Sequence, residues 1–468
     1  MSALNIKQLK LRDYRCFSTL DIDFDPQLTV LIASNSVGKT AILDAIAVAL
    51  GPYIGAFDEG VGKHFDPNDI RLAKVRDSLN HEMEYAPNGV CLEAEGFIPE
   101  SLIDSIGGGC STWKRSLAGI KSKRNNIRDA KELVSYGKRQ QEAVRTGMAT
   151  TLPLLAYYGT GRLWQQKKLT KAKLPRTSRT IAYADCLDPA SSYKSLVEWF
   201  RYWSLNALEG HLAANKAGKK YEPTEFDDFI ASVSGAVNQC LKPTEWREIA
   251  YSLSKEELVV HHAQFGELLV HLLSDGVRSM IGMVADIAFR ATKLNPQLGA
   301  KAALETPGIV LIDEVDMHLH PEWQQVVLQN LCGAFPKIQF IVTTHSPQVL
   351  SSVDAKCIRL LREITDSETG KKAHLVEKIT TQTRGVSSAD LLAEIMGVNP
   401  VPNIPETQKL SQYHALIQQN LHQTAEGVTL RTLLETHFGA HHPVLRECDR
   451  MIRLQLFKQK LPISPKGA

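Results

Sequence analysis

One segment near the start of the chain restricts its fold more than any other. A continuous apolar run at 28–32, the pattern of a strand buried on both faces, leads straight into Ala-Ser-Asn-Ser-Val-Gly-Lys-Thr at 33–40. Apolar residues then recur at helical spacing over 42–50, and Gly51-Pro52 is predicted to stop that helix. A buried strand, a tight loop and a helix in this order are typical of an α/β fold with a phosphate-binding loop.

The loop at 33–40 carries groups suited to a nucleoside triphosphate and its magnesium ion. Backbone N–H groups of the loop and the helix N-terminus point at phosphates, and Lys39 adds a positive charge. The hydroxyl of Thr40 is a hard oxygen ligand that suits Mg²⁺. Ala33 stands where a glycine is usual, which requires a negative φ there, whereas Gly38 must let the backbone approach the ligand. The predicted ATP-binding residues are Asn35, Ser36, Val37, Gly38, Lys39, Thr40 and Ala41.

A second motif, 273 residues after Thr40, points to the same chemistry. Four apolar residues at 309–312 end in Asp313 and Glu314, and a buried strand would bring both carboxylates to the edge at which open α/β sheets bind ligands. We expect Asp313 to hold Mg²⁺ through water, together with Thr40, and Glu314 to polarise the attacking water. Adjacent strand residues point to opposite faces, so the two carboxylates are expected to have separate roles. The alternative for the loop at 33–40 is a surface strand–turn–helix, and the alternative for the acidic motif is a strand that ends in a solvated acidic turn.

Two further positions complete the predicted site. An apolar run at 339–343 leads to His345, which is predicted to hydrogen-bond the γ-phosphate, although a lone histidine is more often structural. Ser274 is predicted to cap a helix with apolar residues on one side over 277–287, and a capped helix N-terminus is an anion site. An ordinary helix cap is the alternative.

The order of these motifs resembles that of the ABC-ATPase superfamily, in which Leu-Ser-Gly-Gly is the usual signature. Here the signature reads Leu273-Ser274-Asp275-Gly276, so Asp275 departs from the pattern. The resemblance implies that Ser274 and Gly276 bind the γ-phosphate held by a second copy of the chain. It therefore implies a homodimer or a higher oligomer of dimers, with ATP and Mg²⁺ bound between the subunits. Arg278 is a candidate for an additional phosphate contact.

Within the superfamily, the His-Leu-His-Pro sequence at 318–321 is similar to that of RecF- and OLD-like ATPases. Its two histidines are not spaced as zinc ligands on a helix face and are interpreted as structural or interfacial. The segments 11–17, 157–164, 340–350 and 387–396 resemble the PtuA-type ATPases of Septu and retron-associated anti-phage systems. That resemblance implies an ATP-hydrolysing subunit that works beside an HNH-type effector nuclease, and in retron systems also with a reverse transcriptase and its RNA–DNA hybrid.

No nuclease is predicted in the chain itself, since no His-Asn-His cluster is visible and the tail after 385 has no Asp-x-Asp pair. Two alternatives stay open beside a defence ATPase: a RecF-like DNA-repair ATPase that clamps DNA, and a nucleotide-binding scaffold with little turnover. The basic stretch 162–179 is a candidate for nucleic-acid contact, because its seven Lys/Arg are flanked by Trp164 and Tyr183. A solvated mobile loop is the equal alternative for that stretch.

The composition is that of an ordinary globular protein, with 43% hydrophobic and 22% charged residues. A length of 468 residues predicts two or three packed units, and a net charge of +3 does not demand a nucleic-acid partner. The eight cysteines are scattered without a Cys-x-x-Cys pair, which is typical of reduced thiols. The start lacks a secretory signal and no apolar run approaches the ~18 residues needed to span a bilayer, so a cytoplasmic location is expected.

We therefore predict an α/β fold: an ABC-type P-loop ATPase head with an antiparallel β subdomain, a helical insertion and a helical C-terminal module. The head is expected to combine 1–100, which carries the phosphate loop, with 305–384, which carries the acidic strand and His345. The helical insertion is expected at 101–304 and the C-terminal module at 385–468. The other predicted strands are 4–11, 17–24, 90–97, 356–362 and 373–380, the last two joined by a turn at 366–370.

Overall fold

The computed structural model describes residues 3–34, 37–74, 83–100, 108–122, 126–163, 178–189, 194–365 and 372–460. They belong to two compact units, Met1–Leu391 and Leu392–Ala468. The strands are β1 (Asn5–Tyr14), β2 (Phe17–Asp23), β3 (Leu28–Ala33), β4 (Leu72–Lys74), β5 (Met83–Tyr85), β6 (Val90–Pro99), β7 (Gly108–Leu117), β8 (Leu154–Tyr158), β9 (Trp246–Ser252), β10 (Glu257–His262), β11 (Gly266–Leu269), β12 (Gly308–Ile312), β13 (Ile338–Thr343), β14 (Ile358–Thr365) and β15 (Lys372–Lys378). The helices are α1 (Lys39–Ile54), α2 (Lys131–Thr146), α3 (Lys194–Lys216), α4 (Glu225–Leu241), α5 (Asp275–Leu294), α6 (Ala302–Glu305), α7 (Pro321–Gln324), α8 (Val327–Ala334), α9 (Pro347–Leu350), α10 (Ser388–Glu394), α11 (Pro405–Gln418), α12 (Ala425–Phe438) and α13 (Pro443–Lys460).

A six-stranded sheet forms the centre of the larger unit. Its spatial order is β15-β14-β3-β13-β12-β8, and all neighbours are parallel except β14 and β15. The strand β3, from near the N-terminus, thus lies between two strands from the later part of the chain. Almost every residue of β3, β12 and β13 is buried, as expected for parallel strands covered on both faces. Their carboxyl ends meet at one edge of the sheet, which brings the predicted motifs together.

The strands predicted at 28–32, 309–312 and 339–343 are confirmed as β3, β12 and β13. The strands predicted near the N-terminus and at 90–97 are confirmed as β1, β2 and β6. The hairpin is confirmed as β14 and β15, while its turn at 366–370 lies outside the described residues.

The helix α1 is longer than predicted. The sequence predicts a stop at Gly51-Pro52, but the helix continues to Ile54. A proline has no N–H group, so the carbonyl four residues earlier, that of Val48, has no donor within the helix. A helix that runs through a proline therefore needs a donor from elsewhere in the structure.

Strand β7 supplies that donor and a second one beside it. Arg115 Nη1 donates to the carbonyl of Val48 at 2.8 Å, and Trp113 Nε1 donates to the carbonyl of Ala49 at 2.9 Å. Both side chains are almost completely buried, and residues two apart on a strand share a face. The antiparallel sheet β2-β1-β6-β7 thus anchors the far end of the helix that follows the phosphate loop. The predicted stop was wrong because these donors come from a strand more than 60 residues away.

The segment 101–304, predicted to be mostly helical, also contains five strands in its described part. Of these, β7 completes the antiparallel sheet, β8 pairs with β12 at the edge of the central sheet, and β9 to β11 form a separate three-stranded sheet. Its helices α3, α4 and α5 meet around Trp203, whose ring lies 5.4 Å from that of Phe229 and 5.7 Å from that of Phe289. The helical prediction was incomplete because short strands with distant partners give a weaker periodicity than the long helices beside them.

The second unit is helical, as predicted for the tail. Helices α11, α12 and α13 enclose a small core made of Tyr413, Ile417, Leu430, Leu434, Leu445 and Cys448. At its surface, Arg431 bridges α12 and α13 by donating to Asp449 at 2.8 Å. In neither unit does the described part of the chain contain a helix both long and apolar enough to cross a membrane.

Candidate nucleotide-binding site

The turn before α1 accepts only glycine at position 38. Gly38 is the N-cap residue of α1 and has a φ of 102°, a conformation that L side chains rarely adopt. A Cβ atom there would lie 2.5 Å from the ring of Phe17 and 2.6 Å from Sγ of Cys16. The β1–β2 turn therefore presses directly against the phosphate loop.

The other predicted loop residues follow the same strand–loop–helix path. Ala33 is the last residue of β3, so its backbone is extended and tolerates the alanine at this unusual position. Val37 and Ala41 are buried where the loop enters α1. Asn35 and Ser36 lie outside the described residues.

Lys39 is a buried cation at the start of α1. Only 7% of its surface is exposed, and its Nζ donates to the carbonyl of Ala33 at 3.3 Å. Burial lowers the pKa of Lys39, and the carboxylates of Asp313, Glu314 and Asp316 oppose that shift. A buried ammonium whose hydrogen bond goes to a neutral carbonyl, with several carboxylates nearby, is suited to receive phosphate oxygens.

Thr40 and Asp313 bring the two predicted motifs into contact. The hydroxyl of Thr40 donates to Oδ2 of Asp313 at 2.8 Å, although 273 residues separate them. Asp313 is buried, and its backbone N–H donates to the carbonyl of Tyr158 on β8 at 2.8 Å. The pair offers two hard oxygen donors next to Lys39, and this donor set fits Mg²⁺.

The residue after Asp313 leaves the strand conformation. The strand β12 ends at Ile312, and Glu314 has a φ of 48°. The expectation that alternation along a strand separates the two carboxylates was therefore wrong in its reasoning, because Glu314 is in a left-handed turn and not in the strand. Its backbone N–H donates to the hydroxyl of Thr343 at 2.8 Å, and that hydroxyl donates to Oδ1 of Asp313 at 2.6 Å.

His345 lies at the same edge of the sheet. It is half-buried and follows the last residue of β13 by two positions. The neighbouring Thr344 donates through its hydroxyl to Asp316, and Ser346 accepts from the backbone of Gln348 as the cap of α9. The segment that carries His345 is thus tied to the turn that carries Glu314.

The predicted signature begins helix α5, as expected. Ser274 occupies the N-cap position but its side chain makes no capping hydrogen bond, so the predicted side-chain cap was wrong. The residue is exposed, and no hydrogen bond joins it to Lys39 or Thr40 in the described part of the chain. Asp275, the departure from the usual signature, pairs with Arg278 at 2.7 Å. Ser274 therefore presents a hydroxyl and a helix N-terminus to solvent.

Gly276 is required by packing. A Cβ atom at this position would lie 2.3 Å from the carbonyl oxygen of His318, which itself has a φ of 62°. The start of α5 is therefore in direct backbone contact with the turn that follows the acidic residues.

The basic stretch 162–179 is only partly described. Residues 164–177 lie outside the described residues, as does the side chain of Arg162. Arg179 is described, and its guanidinium donates to the carbonyls of Leu294 at 2.8 Å and Thr150 at 3.0 Å. Arg179 is therefore turned toward the protein, so its inclusion among phosphate-contacting residues was wrong.

Sequence reasoning missed a buried ionic cluster that connects the signature helix to the central sheet. On α5, Arg290 Nε donates to Oδ2 of Asp286 at 2.8 Å, and Tyr158 at the end of β8 donates to the same oxygen at 2.7 Å. Arg290 also donates to the carbonyl of Ala182 at 2.6 Å. An aspartate and an arginine four residues apart within an apolar helix were the available signal.

Comparisons with known proteins agree with this geometry. A family model described as an AAA domain matches residues 8–222, and a second, described as "AAA domain, putative AbiEii toxin, Type IV TA system", matches residues 248–351. The Retron Ec83 probable ATPase of Escherichia coli is 25% identical over 516 aligned residues, which cover 97% of this chain and 88% of that protein. Both family models are AAA domains, so the chain is similar to AAA/ABC-type ATPases over most of its length.

The chain has further relatives in the predicted group. The Retron Vc95 probable ATPase of Vibrio cholerae serotype O1 biovar El Tor is 24% identical over 439 residues, which cover 84% of this chain and 82% of that protein. The Septu protein PtuA of Bacillus mycoides (strain KBAB4) is 33% identical over 149 residues, but these cover 32% of this chain and 19% of that protein. The predicted resemblance to retron-associated and Septu ATPases is confirmed.

Proposed function

We propose that this ATPase is the nucleotide-driven subunit of an anti-phage defence complex and that it controls an associated effector nuclease of the HNH type. In this proposal two copies close over ATP, hydrolysis separates them, and the change is passed to the nuclease. The observation that carries the proposal is the hydrogen bond between Thr40 and Asp313, which joins two distant motifs next to the buried Lys39.

The nucleotide half of the site is assigned to α1 and β12. The N–H groups at the start of α1 and the ammonium of Lys39 would hold the phosphates, since both present positive charge in a partly buried space. Thr40 and Asp313 would hold Mg²⁺. When bound, the ion supplies charge neutralisation on the phosphate oxygens during transfer.

The other half of the site is assigned to the second copy of the chain. Ser274 is exposed, and its hydroxyl is not used to cap its own helix. The N-terminus of a 20-residue helix carries a partial positive charge that favours an anion. Gly276 keeps this terminus in contact with His318, so the anion site has a fixed position on the head.

Hydrolysis is assigned to the residues that follow β12 and β13. Glu314 would orient the attacking water, because it directly follows Asp313, the proposed metal ligand, in a turn held by Thr343. His345 would donate a hydrogen bond to the γ-phosphate from the adjacent strand end. In such a reaction the protein contributes mainly positioning and electrostatic stabilisation.

Mixing two inactive variants tests the composite site. Lys39→Met disables the phosphate half of a chain, and Ser274→Arg disables its signature half. A mixed dimer has one fully intact site, so random mixing should restore about a quarter of the wild-type ATPase rate, whereas each variant alone should be inactive. Ser411→Arg, at an exposed serine of α11 in the second unit, is the matched control for Ser274→Arg. By itself it should keep the wild-type ATPase rate, because it introduces the same arginine away from the proposed site.

The outcomes separate the proposal from its alternatives. If the mixture stays as inactive as its components while each variant still binds nucleotide or dimerises normally, the shared site is wrong. Glu314→Gln should abolish turnover and leave ATP binding intact, with the exposed Glu322→Gln as its control. Absence of turnover in the wild-type protein would favour a nucleotide-binding scaffold. ATP-strengthened, salt-dependent binding of DNA by the isolated protein would favour a RecF-like clamp.

The control of a nuclease is tested by co-expressing this chain with an HNH-type nuclease. The relatives named as retron and Septu proteins support this class of partner, and a reverse transcriptase with its RNA–DNA hybrid is proposed as a further component. We expect Glu314→Gln to hold the two heads closed and Ser274→Arg to hold them apart. The two variants should therefore shift the rate of DNA cleavage in opposite directions. Equal cleavage with both variants would refute the control.

A further inference from the structure

We infer that Thr343 is the positioning residue of the acidic pair: its single hydroxyl fixes both the carboxylate of Asp313 and the backbone of Glu314. The inference rests on the proposed hydrolytic function and deepens it. Thr343 is the last residue of β13 and is completely buried, and it touches the pair from the neighbouring strand.

The hydrogen-bond directions at this hydroxyl are fixed by its neighbours. The backbone N–H of Glu314 can only donate, so the hydroxyl oxygen accepts it at 2.8 Å. The single hydroxyl proton is then free to point elsewhere, and Oδ1 of Asp313 lies 2.6 Å away as the acceptor. The Thr343 hydroxyl therefore accepts from the backbone of Glu314 and donates to the carboxylate of Asp313, so one group connects the two residues.

The bond to Asp313 selects which of its oxygens faces the nucleotide. With Oδ1 held by Thr343, Oδ2 is the atom in contact with Thr40, at 2.8 Å. A carboxylate held at one oxygen cannot rotate freely about its terminal torsion, which is otherwise broad. The orientation of the oxygen next to the proposed metal position is thus set before any ligand arrives.

The bond to Glu314 supports an unfavourable backbone conformation. Glu314 has a φ of 48°, in the left-handed region that residues with a Cβ atom disfavour. Besides the hydroxyl bond, the N–H of Val315 donates to the carbonyl of Thr343 at 3.0 Å. The side chain and main chain of Thr343 thus hold two successive N–H groups of the turn, and this turn determines where the Glu314 carboxylate points.

Replacing Thr343 by valine, which has nearly the same shape and lacks the hydroxyl, tests the inference. The ATPase kcat is expected to fall about 10- to 100-fold, the loss typical of a small misplacement of reacting groups, while the affinity for ADP stays within about threefold. Thr343→Ser keeps the hydroxyl and should retain most of the rate. If the valine variant does not fold, Thr343→Ala takes its place with the same expectations.

Thr29→Val is the matched control. Thr29 is also completely buried in the central sheet, on the adjacent strand β3, and its hydroxyl also accepts a backbone N–H, that of Asp25, at 2.8 Å. It is not in contact with the acidic residues in the described structure, since its partner in β13 is Ile341. If the loss of a buried hydroxyl weakens the sheet in general, kcat should fall in both Thr29→Val and Thr343→Val. If Thr343 positions the acidic pair, kcat should fall only in Thr343→Val.

Amide hydrogen exchange is a second measurement of the role of Thr343, and it requires neither ATP nor turnover. In the nucleotide-free protein, the Glu314 N–H should exchange faster in Thr343→Val than in the wild-type, Thr343→Ser or Thr29→Val proteins, because only the first has lost its acceptor. Unchanged exchange and kcat in Thr343→Val, or equal losses in Thr343→Ser, would overturn the inference. If Glu314→Gln still abolishes turnover in that case, the proposed function survives; if the wild-type protein shows no turnover, both fail.

Discussion

The continuation of α1 through Pro52 can be tested with two substitutions, Arg115→Met and Pro52→Ala. Arg115 donates to the carbonyl of Val48, which lacks a helical donor because residue 52 is a proline. Pro52→Ala restores an N–H group at the position where a regular helix would provide it. If Arg115 substitutes for that N–H group, the effects of the two changes on stability depend on each other.

The size of the single effect is small for a physical reason. Burial lowers the pKa of Arg115 to about 10, so the buried charge carries a cost on the order of 3 kcal/mol. A hydrogen bond from a charged donor contributes about 1.5–3 kcal/mol. Arg115→Met removes the cost of the buried charge together with the hydrogen bond. The two contributions nearly cancel, so the free energy of unfolding of this single variant is a poor test.

The coupling energy between positions 52 and 115 is not affected by this cancellation. In the Arg115→Met protein the buried Val48 carbonyl has lost its donor, which costs about 1–3 kcal/mol, and Pro52→Ala recovers that amount. In the wild-type protein the new N–H group only competes with Arg115. We therefore expect Pro52→Ala to stabilise the Arg115→Met protein by about 1–3 kcal/mol more than it stabilises the wild type.

The measurement is urea-dependent hydrogen exchange of the α1 amides in all four proteins. Local exchange is preferred to a single unfolding curve because the two compact units need not unfold in one step. A coupling energy below about 0.5 kcal/mol, the scatter expected for independent sites, would refute the role assigned to Arg115.

Two further substitutions give separate tests. Gly276→Ala places a Cβ atom 2.3 Å from the His318 carbonyl oxygen, so we expect the free energy of unfolding, measured by thermal unfolding, to fall by about 1–3 kcal/mol and ATP-driven dimerisation to weaken. Gly235→Ala, at an open position of α4, is the control and should not destabilise the protein. Equal behaviour of the two variants would contradict the packing argument. Lys293 lies with its Nζ 3.6 Å from the ring centroid of Trp199, and burial lowers its pKa to about 8. Between this pKa and that of a free lysine, the unfolded chain binds more protons than the folded one, so the free energy of unfolding should rise from pH 8 toward pH 10. Lys293→Met should remove that rise. Identical pH profiles of stability for the variant and the wild type would refute the prediction.

The parts of the site that could be predicted are those encoded in short segments. Lys39 and Thr40 follow an apolar strand directly, and Asp313 and Glu314 do the same, so position in the sheet follows from local pattern. Their meeting at 2.8 Å is a consequence of parallel strands having their carboxyl ends at one edge.

The parts that escaped prediction depend on groups that only the folded chain brings together. The end of α1 depends on donors from β7, and the turn at Glu314 depends on a hydroxyl from β13. The side chain of Ser274 was expected to cap its helix because serine commonly does so, yet it makes no capping hydrogen bond. None of these contacts leaves a periodic signal in the sequence.

The place of β3 between β13 and β14 affects the order in which the protein can fold during synthesis. The phosphate-loop strand is translated early, but its neighbours in the sheet follow about 300 residues later. At about 5–20 residues per second, β3 waits about 15–60 s for a partner, and pairing between such distant segments is intrinsically slow. A chain released from the ribosome before β13 is complete therefore lacks the strand that lies between β3 and β12, so Lys39 and Thr40 are not held beside Asp313.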